Sequence, residues 1–274
     1  MSAYDDAIRD LVLANRILAH EEVVDAYGHV SVRHPDNPER YLIAVSRSPE
    51  LVTEADIIEC TLDGKPVRDE KRALYLERFI HGGIYESRPD IHSVVHSHAL
   101  DVLPFTISDQ PLRPAIHSSG ALGHEMPVWD QADHFGETSL LVVNMPQGRD
   151  LAASLSDNRI VLMRAHGFAA AGRNIAESVR LSVVMPRNAR AYLGALQIGK
   201  VKPLSKGEID LRLVTRSDAP ESYRAWEYWA TRAGCADMLP GARRSVTVRK
   251  PATAKKAPAK KKAAAKKGAK KARR

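Results

Sequence analysis

The chain has 274 residues, 44% apolar, 27% charged and only 5% aromatic, enough for one large aliphatic-cored domain or two small ones. No apolar run reaches the roughly 18 residues a membrane span needs, the start Met1-Ser2-Ala3-Tyr4-Asp5-Asp6 lacks the layout of a secretory signal, and Cys60 and Cys235 are too few for a disulfide framework. A cytoplasmic protein with free thiols and no membrane partner is expected.

In chain order, apolar residues at Ile8, Leu11, Val12 and Leu18 predict a helix over Asp5–His20. Short β-type runs follow at His29–Arg33 and Tyr41–Val45. Leu74, Phe79 and Ile80 predict a second helix over Lys71–Tyr85, stopped by Arg88-Pro89-Asp90. Further strands are expected at Ile91–Ser97, Ser139–Asn144, Arg159–Arg164 and Phe168–Ala171, the last two joined by a turn at Ala165-His166-Gly167. Asn174-Ile175-Ala176-Glu177 is a capping-box start for a helix to about Leu193, with Pro186 expected to kink it or shift its start. Strands mixed with helices over this length favour a single α/β sandwich.

The net charge of +8 divides unevenly. Thirteen of the 41 Lys and Arg residues, and none of the 33 acids, fall in 249–274, which leaves the preceding residues mildly acidic at −5. That Lys/Ala/Pro-rich tail has no large apolar residue to bury and is expected to be disordered. It either contacts nucleic acid non-specifically through charge or serves only as a solvated tail.

The histidines carry the chemistry. In Ile91-His92-Ser93-Val94-Val95-His96-Ser97-His98, alternation on a strand turns His96 and His98 to one face, with His92 at the same parity, and paired imidazoles suit a divalent metal. Glu77, on the helix before this strand with His81 one turn further on, either ligates an ion or acts as a base beside it, or is a solvated residue paired with Arg78 or Lys71. His166 either projects from its turn toward a cleft or bonds its own backbone.

These residues, taken with their surroundings, resemble the class II aldolase/adducin superfamily. The similarity lies in Gly28-His29-Val30-Ser31-Val32-Arg33, Glu77-Arg78-Phe79-Ile80-His81-Gly82, Tyr85, Arg88-Pro89-Asp90, Val94-Val95-His96-Ser97-His98, Pro104-Phe105 and Arg164-Ala165-His166-Gly167. The resemblance implies a three-layer α/β/α domain with a central mixed, largely antiparallel sheet over 1–235, followed by a linker at 236–248 and the tail at 249–274. It also implies that Glu77, His96, His98 and His166 surround one divalent metal, with Mn2+ favoured and Zn2+ or Fe2+ as alternatives, and that the chain forms homotetramers with the site between subunits.

Sugar-phosphate members of that superfamily hold a phosphate with small hydroxyls and glycines. Here the corresponding positions read Gly28-His29, Ser46-Arg47-Ser48-Pro49 and Tyr75-Leu76, which argues against a sugar phosphate. The replacements, together with Pro111-Leu112-Arg113-Pro114 and the segment from Glu221 to Trp229, resemble the aromatic decarboxylases typified by 3-hydroxy-2-methylpyridine-4,5-dicarboxylate 4-decarboxylase and 3,4-dihydroxyphthalate decarboxylase. The implied function is a metal-dependent carbon–carbon lyase acting on an ortho-hydroxyaryl carboxylate. Glu77 or His81 would move the proton, with His117 as a candidate acid from a neighbouring subunit. His29, Arg33, Ser46, Arg47, Ser48 and Tyr223 are candidates for binding substrate, against strand capping for His29 and plain solvation for the two arginines. The alternatives are an aldolase, epimerase or dehydratase on a non-phosphorylated hydroxy acid or aldehyde, an iron(II) oxygenase, and a metal-free adducin-like interaction module.

Overall fold

The computed structural model describes residues 2–214 and 220–240. Among them, seven strands form one sheet: β1 (His29–Arg33), β2 (Arg40–Ala44), β3 (Ile57–Thr61), β4 (Ser93–Ser97), β5 (Val128–Trp129), β6 (Ile160–Met163) and β7 (Gly167–Gly172). Their order is β3-β2-β1-β4-β7-β6-β5, and every neighbouring pair is antiparallel except β5–β6. The helices are α1 (Ala3–His20), α2 (Arg78–Ser87), α3 (Ala132–Phe135), α4 (Met145–Leu155), α5 (Ile175–Ile198), α6 (Lys206–Leu213) and α7 (Pro220–Arg232).

Side-chain alternation along the strands divides the interior into two cores. Val30, Leu42, Val95, Leu162, Phe168 and Ala170 face one way, onto α1, α5 and α7 through Leu11, Ile17, Val179, Leu181, Trp226 and Trp229. Tyr41, Ile43, Val94, Val161, Ala169 and Ala171 face the other way, onto α2 and α4 through Ile80, Ile84, Tyr85, Leu151 and Leu155. The result is the expected three-layer α/β/α sandwich with a mixed, largely antiparallel sheet. No described helix is long and apolar enough to cross a membrane.

Several boundaries differ from the expectation. The second helix starts at Arg78 rather than Lys71, so Glu77 is its N-cap residue and not part of its body. α5 begins on its Asn174 cap and continues through Pro186 to Ile198, so the proline does not displace its start. The largest correction is Ser139–Asn144. It is irregular, because its polar backbone groups go to side chains of the site described below, and because Asn144 caps α4 by accepting from the Gln147 amide at 3.0 Å. Strands β3 and β5 and helices α3, α4, α6 and α7 lie outside the elements expected from the sequence. Of the expected linker, residues 236–240 are described, with a short helical turn at Ala236–Met238 and with Met238 and Leu239 packed against the α1/α5 core, whereas 241–248 and the whole tail at 249–274 lie outside the described residues.

Close backbone approach positions the elements that carry the site. A Cβ at Gly83 of α2 would lie 2.3 Å from the Gly148 carbonyl of α4, so glycine is what lets these two helices touch. A Cβ at Gly167 would lie 2.0 Å from the Ser97 carbonyl, so glycine also lets the His166 turn lie flush against the end of β4.

Candidate metal centre

Four side chains from three parts of the chain meet at one end of the sheet. His96 lies on β4, His98 just past its end, His166 in the β6–β7 turn, and Glu77 at the head of α2. One ligand atom from each lies within 4.8 Å of every other. Glu77 Oε2 is 3.3 Å from His96 Nε2, 3.3 Å from His166 Nε2 and 3.9 Å from His98 Nε2. His98 Nε2 is in turn 2.8 Å from His96 Nε2 and 3.0 Å from His166 Nε2.

The surroundings of the two flanking imidazoles fix which nitrogen carries a proton. His96 Nδ1 donates to the Phe168 carbonyl at 3.1 Å and His166 Nδ1 donates to the Leu140 carbonyl at 2.9 Å. A neutral imidazole has one N–H, so in its neutral form each of these rings turns a bare Nε2 lone pair inward. His96 is neutral at pH 7, since burial lowers it to about 4. Its short contact with Glu77 is therefore not an ion pair. Burial raises the Glu77 carboxyl, and what brings it far below the usual carboxylate range is positive charge or N–H on the facing imidazoles, His96 first, a part that a central cation would take when their Nε2 atoms are bare. Its other oxygen, Oε1, accepts the Val142 amide at 3.0 Å.

A buried carboxylate facing inward lone pairs is an arrangement of like polarity, in which one proton would settle one contact at a time. A cation at the centre satisfies all four groups at once. Backbone carbonyls holding the far nitrogens of ligating imidazoles are the usual outer support of such a site. The donor set of three imidazole nitrogens and one carboxylate oxygen fits a single divalent ion.

The backbone is strained where it supplies these supports. Leu140 and Ala165 are non-glycine residues in the left-handed region, at φ 64° and 54°. One presents its carbonyl to His166, and the other precedes His166 with its amide donating to Thr106 Oγ1 at 3.1 Å. Each such residue costs roughly 1 kcal/mol, a cost the surrounding packing sustains at functional positions.

The remaining candidate residues divide into two groups. His29 is buried on β1 opposite His96, with ring centroids 5.1 Å apart, and is adjacent to the cluster. The exposed Ser46-Arg47-Ser48 loop is tied to it through Tyr75, whose ring lies 4.6 Å from His29 and whose hydroxyl donates to the Arg47 carbonyl. A cleft of about 370 Å3 borders His98 and is lined also by Val24, Asp25, Glu50 and Leu100.

The others stand apart. Arg33 is held away from the cluster. Its guanidinium is spent on the backbone carbonyls of Pro38, Tyr85, Arg88 and Ile91, at the far end of β1. His81 is fully buried, with one ring nitrogen against Ser31 and the other against His29. His92 is exposed outside the cluster despite its parity. His117 is exposed on a turn at His117–Leu122, outside the group that converges, and Tyr223 is 51% exposed on α7. Trp226 is a core residue.

Sequence reasoning marked Tyr75 only as part of the Tyr75-Leu76 replacement before Glu77, and it missed Leu140 and Val142. These two act through backbone groups, which no residue type reveals.

An α/β/α sandwich on a mixed, largely antiparallel sheet, with one carboxylate and three imidazoles at a strand end, defines a class II aldolase-type chain. The model of the Class II Aldolase and Adducin N-terminal domain matches residues 9–193, and the chain belongs to that family. It is similar to Decarboxylase tropJ of Talaromyces stipitatus, 34% identical over 81% of this chain and 92% of that protein. It also resembles the L-fuculose phosphate aldolase of Escherichia coli O6:H1, 30% identical over 66% of this chain and 79% of that one. The 3,4-dihydroxyphthalate decarboxylase of Arthrobacter keyseri is 29% identical over 62% of this chain and 70% of its own length. Among solved structures, an aldolase II superfamily protein from Pseudomonas syringae shares the fold at a TM-score of 0.73 and 19% identity, covering 87% of this chain and 96% of that chain. The three curated relatives are two decarboxylases and an aldolase.

Proposed function

We propose that this chain is a divalent-metal-dependent lyase that removes carbon dioxide from an ortho-hydroxy aromatic or heteroaromatic carboxylate. The observation that carries the reading is the convergence of Glu77 with the inward lone pairs of His96 and His166 and with His98. The 34% identity to a decarboxylase across 92% of its length supports a carboxy-lyase over an aldehyde-lyase. Ser46-Arg47-Ser48 and Tyr75, in place of small residues that would wrap a phosphate, point the same way.

Glu77, His96, His98 and His166 would hold the ion, which supplies Lewis acidity toward the oxygen that receives electrons as the carbon–carbon bond breaks. Three imidazoles and a carboxylate suit zinc, manganese and iron(II) alike, and the donor set gives manganese no advantage. In the reaction a proton is added to the ring carbon, its bond to the carboxylate breaks, carbon dioxide leaves, and the bonding electrons restore the aromatic ring. Glu77 serves this step as an ionised ligand anchored by the Val142 amide, not as the acid. His117 would supply the proton, and Tyr223 would help close the site, from a second copy in a homotetramer with the site at its interfaces.

The cleft beside His98 is lined by Glu22, Asp25 and Glu50, which disfavour a second anionic group there. Arg47 is the basic residue of the Ser46-Arg47-Ser48 loop; its Nε donates to the Leu51 carbonyl at 2.7 Å and lies 3.4 Å from Asp56, and a second ring carboxylate would bind there through the remaining guanidinium nitrogens and the serines. Contact of the 249–274 tail with nucleic acid is a separate property, and truncation after Val248 removes it without changing turnover. The deciding experiment is a carbon dioxide release screen of the full chain, loaded with zinc, manganese or iron(II), over hydroxyaryl carboxylates. Chelator-sensitive release, one carbon dioxide per carboxylate lost, supports the reading. Aldehyde products without carbon dioxide, or turnover that depends on dioxygen, contradict it.

A further inference from the structure

Beside the metal cluster, four buried side chains form a hydrogen-bonded line. Tyr85 Oη is 2.7 Å from Ser31 Oγ, Ser31 Oγ is 2.6 Å from His81 Nδ1, and His81 Nε2 is 2.6 Å from His29 Nδ1. Ser31 and His81 are fully buried and Tyr85 very nearly so, and the line runs from α2 through β1 back toward the cluster. None of the contacts is needed to place the four converging ligands.

The direction of every bond in this line can be derived. Burial pushes the Tyr85 phenol well above its ordinary value, so it keeps its proton and must donate it. The only described acceptor within reach is Ser31 Oγ. Ser31 thus accepts from Tyr85 and spends its own proton on its one other partner, His81 Nδ1. A ring that accepts at Nδ1 carries its proton on Nε2, so His81 donates its Nε2–H to His29 Nδ1. His29 in turn accepts at Nδ1, and its own proton is left on Nε2. Among the described residues nothing accepts that proton, although His29 is only 4% exposed and its ring packs between Tyr75 and His96.

We propose that Tyr85, Ser31 and His81 are positioning residues that lock His29 as an Nε2–H donor, and that this donor is reserved for a negatively charged oxygen of the substrate bound beside the metal cluster. A donor locked by three buried groups cannot serve as a base, because its free nitrogen has no lone pair. It fits a ligand that brings an acceptor, a carboxylate or phenolate oxygen, and a substrate group that brings a donor meets N–H against N–H or O–H. The nature of the acceptor rests on the lyase reading. The locked tautomer does not.

The test separates the two. In the zinc-loaded full chain carrying 15N-labelled histidine, long-range proton–nitrogen correlations report which nitrogen of each neutral ring bears hydrogen. The His29 pattern is identified by its loss in His29→Gln. The expected result is Nε2–H on both His29 and His81, with conversion of His29 to a mixture of tautomers in Tyr85→Phe, which keeps the ring packed on Tyr41 and under Arg33. Ser31→Ala, a smaller change, should do the same and covers the case in which Tyr85→Phe folds poorly. Bound metal stays constant in both variants, and KM for whichever hydroxyaryl carboxylate is turned over rises about tenfold while kcat holds, the size typical of lost outer support. His29 carrying Nδ1–H, or a His29 pattern unmoved by both substitutions, overturns the proposal and leaves the lyase reading intact. A failed carbon dioxide screen with Nε2–H in place removes the lyase reading and leaves the lock.

Discussion

Two buried carboxylates sit at opposite ends of the same pair of strands, and they are satisfied in opposite ways. Glu177, 3% exposed at the start of α5, accepts from the Arg173 amide at 2.7 Å and pairs with the guanidiniums of Arg159 and Arg173, each at 2.8 Å. Glu77, 6% exposed at the start of α2, has one backbone amide and otherwise faces nitrogens, two of them bare lone pairs. The first is closed by the protein's own cations. The second is ionised with no protein cation to meet it. That difference, more than the count of histidines, distinguishes a structural ion cluster from a site built for an ion from outside.

The comparison can be tested by substitution. The largest effect is expected from His98→Ala, which removes the nitrogen shared by His96 and His166. Turnover should fall by about a thousandfold or more, equivalent to several kcal/mol of lost charge stabilisation, with bound metal lost in parallel. Steady-state kinetics and metal analysis of the same preparation check both.

Glu177→Gln should leave turnover and metal unchanged but destabilise the fold by about 2 kcal/mol in urea unfolding, a figure reduced for the partial exposure of Arg173. Its pH signature follows from the depressed carboxyl. Burial opposes ionisation, but Arg173 and Arg159 prevail and bring Glu177 to about 2. The stability it confers is therefore fully present above its ordinary value near 4.5 and is lost as pH falls toward about 2. The acid limb of the stability curve should flatten in Glu177→Gln.

The matching change at Glu77 has the opposite sign in metal-free protein. In Glu77→Gln the amide donates to an imidazole lone pair that the carboxylate opposed, so with chelator present the variant should be about 1 kcal/mol more stable than the parent, while metal affinity drops. Unfolding with and without chelator separates these effects. The smallest effect is expected from Ala165→Gly, which relieves the left-handed backbone beside His166 at the cost of chain entropy and should stabilise by about 0.5 kcal/mol or less in thermal unfolding.

Much of this was legible in the sequence because it is carried by side-chain type and spacing. The alternation in β4 aims His96 at the cluster, and the turn before Gly167 brings His166 beside it. What was not legible is carried by backbone. Ser139–Asn144 has the apolar content of a strand, yet Leu140 and Val142 spend their polar groups on His166 and Glu77, so no ladder forms. Asn144, read as the end of that strand, is a helix cap, a reading that Pro146 at the head of α4 also supports. Arg33 shows the converse failure. A guanidinium predicted to grip substrate is consumed by four carbonyls that only the fold brings together.

The most direct measurement is the metal content of the purified full chain after exposure to zinc, manganese or iron(II), followed by removal of unbound ion. One tightly held divalent ion per chain, lost in His98→Ala and retained in Glu177→Gln, is the predicted result. A chain that holds no ion yet is as stable and active as one exposed to metal would contradict the account, since the ionised Glu77 would then need no cation at all.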